Sequence, residues 1–202
     1  MKLILIGANG KIGELVQKAL AGVGHEIVKV GRKSGDFQFQ VEIENRESVR
    51  KLYQAVGSFD AVAIAAGEVA FAPLSELTAE KWQFSLGSKL MGQINLVQEA
   101  IPFIKEKGSF TLVSGILNDE PIFAGVAAST VSGALEAFVR AAAIELPKGL
   151  RINVVSPTML KESESQFAQF FIGMIPVEGW KVGQAYKRAI LGAQTGRVYK
   201  VD

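Results

Sequence analysis

Apolar runs alternate with amphipathic stretches from one end of the chain to the other. Lys2 to Ile6 is short, rich in Leu and Ile and bounded by Gly7, the pattern of a strand buried on both faces. Behind it Ile12, Leu15, Val16, Ala19 and Leu20 recur at helical spacing, with Glu14, Gln17 and Lys18 between them. Glu26 to Val30 reads as a second buried strand ending at Gly31. Phe37 to Ile43 sets Phe37, Phe39, Val41 and Ile43 against polar residues, a strand with one drier face. Ser48 to Val56 predicts a helix with Val49, Leu52 and Val56 inward, and Asp60 to Ala66 is a run of small apolar residues closing on Gly67.

Val69 to Leu77 is loop, after which Thr78 caps a helix from Ala79. A longer helix carries Leu90, Ile94, Leu96 and Val97 to Phe103, with Pro102 placed to bend its end. Gly108 to Val113 is a strand, Asn118 to Phe123 irregular, Ala124 to Leu146 a long helix with few charges, and Leu150 to Val155 the next strand. Lys161 to Gly173, polar and then aromatic, predicts a mobile helical segment; Gly179 to Leu191 is a final helix and Arg197 to Val201 a final strand. Strands alternating with helices, without linker or repeat, predict one α/β domain over residues 1–202 with a doubly wound, mainly parallel sheet. Ligands of such sheets sit at the carboxyl ends of the strands, here above Gly7 to Gly13.

That first turn has chemistry of its own. Gly7, Gly10 and Gly13 follow a G-x-x-G-x-x-G spacing between a strand and a helix. The free N–H groups and positive dipole of such a helix start suit a pyrophosphate, which glycines let approach. Gly7, Asn9, Gly10, Lys11, Ile12 and Gly13 are therefore candidate dinucleotide contacts; the alternative is a tight turn that needs glycine for its backbone alone. At the end of the second strand an acid would bond the ribose 2′-hydroxyl of NAD, and an Arg would suit the 2′-phosphate of NADP. Arg32, Lys33 and Ser34 stand there, which favours NADP(H) over NAD(H) unless they form only a solvated turn.

Composition narrows the field. The 202 residues carry a net charge of +2 and 49% are hydrophobic, enough for a substantial core and poorly suited to a dedicated nucleic-acid binder. With no cysteine and one histidine, disulfides, thiol catalysis and a metal-ligand cluster are not expected. No apolar run is of membrane-spanning length, and Met1 leads into a core strand rather than a signal peptide, so a cytoplasmic location is expected.

In order along nearly the whole chain, these segments resemble the short-chain dehydrogenase/reductase family. The glycine turn is similar to that family's motif, with Gly10 one residue earlier than in its commonest form. Val41 to Asn45 resembles the adenine-contacting segment, with Glu42 for the usual Asp and Ile43 beside it. Ala65-Ala66-Gly67 resembles an Asn-Ala-Gly turn with Ala for Asn, and Gly92 to Pro102 resembles the helix that follows. Asn153 to Pro157 resembles the strand end that holds the nicotinamide, with Thr158 where Gly is usual. The resemblance implies a Rossmann fold with a seven-stranded sheet ordered 3-2-1-4-5-6-7. It also implies an oxidoreductase whose nicotinamide cofactor meets Glu42, Ile43, Ala65, Ala66, Gly67, Pro157 and Thr158 besides the residues above. In the family, helices corresponding to residues 89–103 and 124–146 form an interface. The surplus apolar surface of the second, from Val126 to Ile144, favours a homodimer or homotetramer over burial by the chain itself.

The family's chemistry uses a Ser-Tyr-Lys set assisted by an Asn. The Tyr position falls on Ala128, the Lys on Ser132, the Ser on Gly115 beside Ser114, and the Asn on Lys89. Alanine donates no proton, and a positioned general acid is worth about 10²–10⁴-fold. Lys89 is the candidate replacement, and is otherwise a helix residue bonded to carbonyls or solvent. Ser114 is a candidate carbonyl partner, and is otherwise a turn residue. Tyr53, Tyr186 and Tyr199 are expected at the periphery as surface packing. Two functional classes stay open: an oxidoreductase with non-standard catalytic residues, and an inactive nucleotide-sensing or scaffold protein.

Overall fold

The structure, a computed structural model, describes residues 1–22, 24–32 and 37–202. Its strands are β1 (Lys2–Ile6), β2 (Glu26–Gly31), β3 (Phe39–Gln40), β4 (Phe59–Ile64), β5 (Ile104–Val113), β6 (Arg151–Pro157) and β7 (Val198–Val201). They form one parallel seven-stranded sheet in the order β3-β2-β1-β4-β5-β6-β7. The helices are α1 (Lys11–Leu20), α2 (Arg46–Val56), α3 (Ala79–Ser85), α4 (Gly92–Ala100), α5 (Val126–Glu145), the short α6 (Glu164–Phe167) and α7 (Gly179–Leu191).

The alternation within β1 explains the layers. Ile4 and Ile6 point into a core shared with Val49, Leu52, Leu96, Val131 and Leu135 of α2, α4 and α5. Leu3 and Leu5 point into a second core with Val16 and Leu20 of α1 and Val182, Tyr186 and Ile190 of α7. A strand covered on both faces has no polar side to show, and its sequence has none. Gly183 lets α7 lie close on α1: a Cβ there would stand 2.7 Å from the Leu15 carbonyl oxygen.

The structure departs from the sequence expectations in four places. The strand expected over Phe37 to Ile43 is two residues long in the described part. After Gln40 the chain leaves the sheet edge, the Val41 N–H bonding the Gly31 carbonyl at 2.9 Å, so Val41 and Ile43 turn towards the carboxyl end of β1. Helix α2 begins at Arg46, because Asn45 Oδ1 accepts the N–H groups of Glu47 and Ser48. The long helix expected to run to Phe103 is interrupted by a π-helical turn at Leu86–Met91 and stops at Ala100. The three tyrosines are buried rather than peripheral. Tyr53 donates to the Leu96 carbonyl at 2.8 Å, Tyr186 to the Ile64 carbonyl at 2.6 Å, and Tyr199 to Gln194 Oε1 at 3.0 Å. Apolar bodies with one polar tip suit a core that offers one acceptor.

Tyr53 spans α2 and α4 and packs on Phe59 with ring centroids 5.2 Å apart. Tyr53→Phe keeps the ring and removes the bond, so urea unfolding should show a loss of about 1 kcal/mol with an unchanged m-value.

Candidate functional site

A cleft of about 270 Å³ opens at the carboxyl ends of β1, β2 and β4. One wall is Gly31 and Arg32, the floor is Ile6 and Gly7, and the far wall is Ala65 to Glu68 with Ser88 behind. Val41, Ile43 and Glu44 close the end. Of the residues singled out in the sequence, the cleft thus gathers Gly7, Arg32, Ile43, Ala65, Ala66 and Gly67. Glu42 is exposed and outside the lining; the alternation that turns Val41 and Ile43 inward turns it out, and Glu44 lines the cleft instead. Lys33 and Ser34 lie outside the described residues.

The glycine turn is built on backbone contact. Gly7 has φ +79°, and a Cβ there would stand 2.4 Å from the Ala65 carbonyl oxygen; at Gly13 it would stand 2.2 Å from that of Gly7. The N–H groups of Gly7 and Ala8 both reach the Val30 carbonyl, at 2.9 and 3.3 Å, which ties the turn to the end of β2. Gly10 faces open space, its added Cβ meeting only the Gly7 oxygen at 3.4 Å. Among the described residues no side chain caps α1, which leaves its first N–H groups to an anion. Uncapped helix start, open Gly10, apolar Val41 and Ile43 and cationic Arg32 together fit the phosphates and flat base of a dinucleotide. Asn9 and Lys11 are exposed beside the turn. Lys11 Nζ donates to the Glu162 carbonyl and Ser163 Oγ at 3.0 Å each and to Gln166 Oε1 at 3.2 Å, fastening the segment after β6 over the turn.

The second half of the site lies where β5 and β6 end. The Val113 N–H and carbonyl extend past the β4 pairing, and the Gln93 amide takes both, at 3.0 and 2.9 Å. The same amide nitrogen bonds the Lys89 carbonyl at 3.0 Å, so α4, the π-helical turn and β5 share one joint. Ser114 is buried and its hydroxyl donates to Glu136 Oε1 at 3.2 Å, while Asn118 Nδ2 donates to Glu136 Oε2 at 3.2 Å. That donor is therefore already engaged. Gly115 faces Ser132 Oγ and the Pro157 carbonyl, 3.7 and 3.9 Å from where its Cβ would be. Ala128 packs with Ile116 and Leu117, and Thr158 is buried with its N–H on the Val201 carbonyl at 3.0 Å. Pro157 and Thr158 thus belong to this half, not to the cleft around Arg32.

Lys89 joins the two halves. It sits in the π-helical turn, a feature frequent at functional positions because the extra residue redirects a side chain. Its side chain runs along Gly67: a Cβ on Gly67, at φ +111°, would be 3.0 Å from both Cα and Cδ of Lys89. Half-buried, with no acceptor or carboxylate on its ammonium among the described residues, it has its pKa lowered to about 8 by desolvation. Glu136, Gln93, Glu68 and the buried serines Ser85 and Ser88 were not singled out in the sequence. Ser88 Oγ accepts the Glu68 N–H at 3.2 Å and Ser85 Oγ that of Ala70 at 3.0 Å, holding the loop after Gly67. Ser85 and Ser88 carry no advance signal, since their segment already mixes Glu80, Lys81, Gln83 and Lys89 with apolar residues.

A glycine turn at the switch point of a 3-2-1-4-5-6-7 parallel sheet defines a Rossmann-type protein. The family model for enoyl-(acyl carrier protein) reductase matches residues 7–180, and the chain belongs to the short-chain dehydrogenase/reductase family. It is 27% identical over 175 residues to an uncharacterized oxidoreductase of Methylorubrum extorquens, covering 76% of this chain and 71% of that one. It is likewise 27% identical over 184 residues to a short-chain dehydrogenase/reductase of Stachybotrys chlorohalonatus, covering 77% and 72%. Among solved structures, the protein lin1944 of Listeria innocua superposes with a TM-score of 0.96 at 46% identity over the full length of both chains. A small-chain dehydrogenase in complex with NADPH gives 0.86 at 22% identity, covering 100% of this chain and 96% of that one, a likeness of fold. Among the described residues no helix is long and apolar enough to cross a membrane, and no group of His, Asp and Glu is placed to hold a metal.

The Lys89 ammonium gives a pH signature. Its pKa lies near 8 in the fold and near 10.5 in the unfolded chain, so between these values the unfolded state binds more protons and stability rises with pH. Lys89→Met should therefore be more stable than the parent at pH 7, and the gap should shrink as pH rises from about 8 towards 10.5 in denaturant titrations.

Proposed function

We propose that this chain acts as one nucleotide-binding domain and as an oxidoreductase of activated double bonds, with NADP(H) preferred. A bound dinucleotide would supply the hydride. The chain's own part is to hold the phosphates on the Gly7 to Gly13 turn, to face the 2′-phosphate with Arg32 and to deliver a proton. The observation that carries the reading is Lys89 itself: a lysine with its pKa lowered to about 8, lying along Gly67 without a counter-ion among the described residues. Ala128 and Ser132 supply no acid where the family has Tyr and Lys, and Ser114 already donates to Glu136. Hydride addition to a ketone leaves an alkoxide, which needs a strong proton donor. Addition to the β-carbon of an unsaturated carbonyl leaves an enolate, a far weaker base, which a lysine with its pKa lowered to about 8 protonates at the α-carbon. The match to an enoyl reductase family model supports the same substrate class.

A second reading rests on the same buried Ala128 and Ser132: the protein binds nucleotide and turns nothing over, acting as a sensor. In either case a cytoplasmic homo-oligomer through α4 and α5 is proposed, since Ile144 on α5 is 88% exposed and wants apolar cover.

Mixing the protein with NADPH and a panel of enones, quinones and ketones, and following the nicotinamide absorbance, separates the two. The enzyme reading expects oxidation with enones or quinones in excess of ketones, reduced about 10²-fold or more in Lys89→Ala. Binding without turnover across the panel would leave the sensor. Arg32→Ala is expected to weaken NADPH about tenfold and NADH little; equal losses would remove the basis for preferring NADP(H).

A further inference from the structure

Arg32 and Glu68 come from opposite walls of the cleft. Arg32 follows the last residue of β2, Glu68 follows the turn after β4, and β1 lies between those strands. The guanidinium donates twice to the carboxylate, Nη1 to Oε2 at 3.0 Å and Nη2 to Oε1 at 3.2 Å, a fork-to-fork pair across the mouth. The side chains are 49% and 55% exposed, so the pair is reached by solvent and by ligands. Glu68 is fixed from behind by the bond from its N–H to Ser88 Oγ at 3.2 Å. Glu44 lines the same cleft and adds to the negative field at Arg32.

The two Arg32 donors that would receive a phosphate dianion are thus already engaged by a carboxylate of this chain. Carboxylate and phosphate present similar oxygen pairs to a guanidinium, so a phosphate arriving at Arg32 takes part in an exchange rather than a simple addition. We infer that Glu68 is a specificity-determining residue: it competes with the 2′-phosphate of NADP(H) for Arg32 and narrows the preference for NADP(H) over NAD(H). This rests on the reading of the cleft as a nucleotide site. A ligand without the 2′-phosphate leaves the Arg32–Glu68 pair in place. A ligand with it must draw Arg32 away and stand near two carboxylates, Glu68 and Glu44.

Calorimetric titration of the parent, Glu68→Gln, Arg32→Ala and the double variant with NADPH and with NADH tests the inference. Glu68→Gln removes the charge and keeps the shape. It should tighten NADPH about threefold to fivefold, the upper scale of a solvent-reached ion pair, and leave NADH within about twofold. In the Arg32→Ala background the gain should largely vanish, because the competition has lost its object. An unchanged NADPH affinity, equal gains for both nucleotides, or a gain that persists without Arg32 would each overturn the inference while leaving the nucleotide site standing. A parent protein that binds neither nucleotide would overturn the reading of the site and this inference with it.

Discussion

The site depends on backbone touching backbone where β1 ends. Gly7 lies against the Ala65 carbonyl and Gly13 against that of Gly7, at separations that leave no room for a methyl group. Because these contacts are made by main chain, they fix the start of α1 relative to β4 without relying on any rotamer. The bonds from Gly7 and Ala8 to Val30 and from Ala65 to Ile6 complete the joint. The remaining architecture holds these strand ends in place: two apolar layers clamp β1, and Tyr186 reaches through one of them to the Ile64 carbonyl.

Much of this was legible because it is local. An apolar run before a glycine triplet and an amphipathic stretch after it specify strand, turn and helix through short-range sterics, and the alternation repeats down the chain. What could not be read depends on partners distant in sequence. The π-helical turn has no composition of its own, yet it redirects Lys89 and Ser88 towards the cleft. Phe37 to Ile43 alternates like a full strand, but an edge strand stays in the sheet only while its neighbour offers bonds, and the chain leaves β2 at Val41. Arg32 was recognisable as a cation at the right place, whereas its pairing with Glu68 was not, the two lying 36 residues apart.

The two halves of the site are made from different materials. The cleft around Gly7 is glycine, apolar side chains, the Arg32–Glu68 pair, Glu44 and Ser88, a surface shaped to receive something. The region around Gly115 is a buried polar network in which Glu136 accepts from Ser114 and Asn118, while Asn118 Oδ1 has no partner among the described residues. Such a network ties the chain after β5 to the middle of α5, and its donors are turned towards Glu136 rather than towards a ligand. Lys89 is the exception: its carbonyl is held by Gln93, while its ammonium, beside Gly67, has no acceptor among the described residues.

The packing of α1 carries a consequence for how the molecule is made. The helix that begins at the glycine turn is backed by α7, with Gly183 seated on Leu15, and Lys11 reaches Glu162, 151 residues later. A ribosome delivers the glycine turn well before the helix that supports it. Until α7 has emerged, the face of α1 that carries Leu15 lacks the helix that covers it. The glycine motif therefore gains its backing only after α7 and the segment at Glu162 have been made, so its support is a long-range contact rather than a local one.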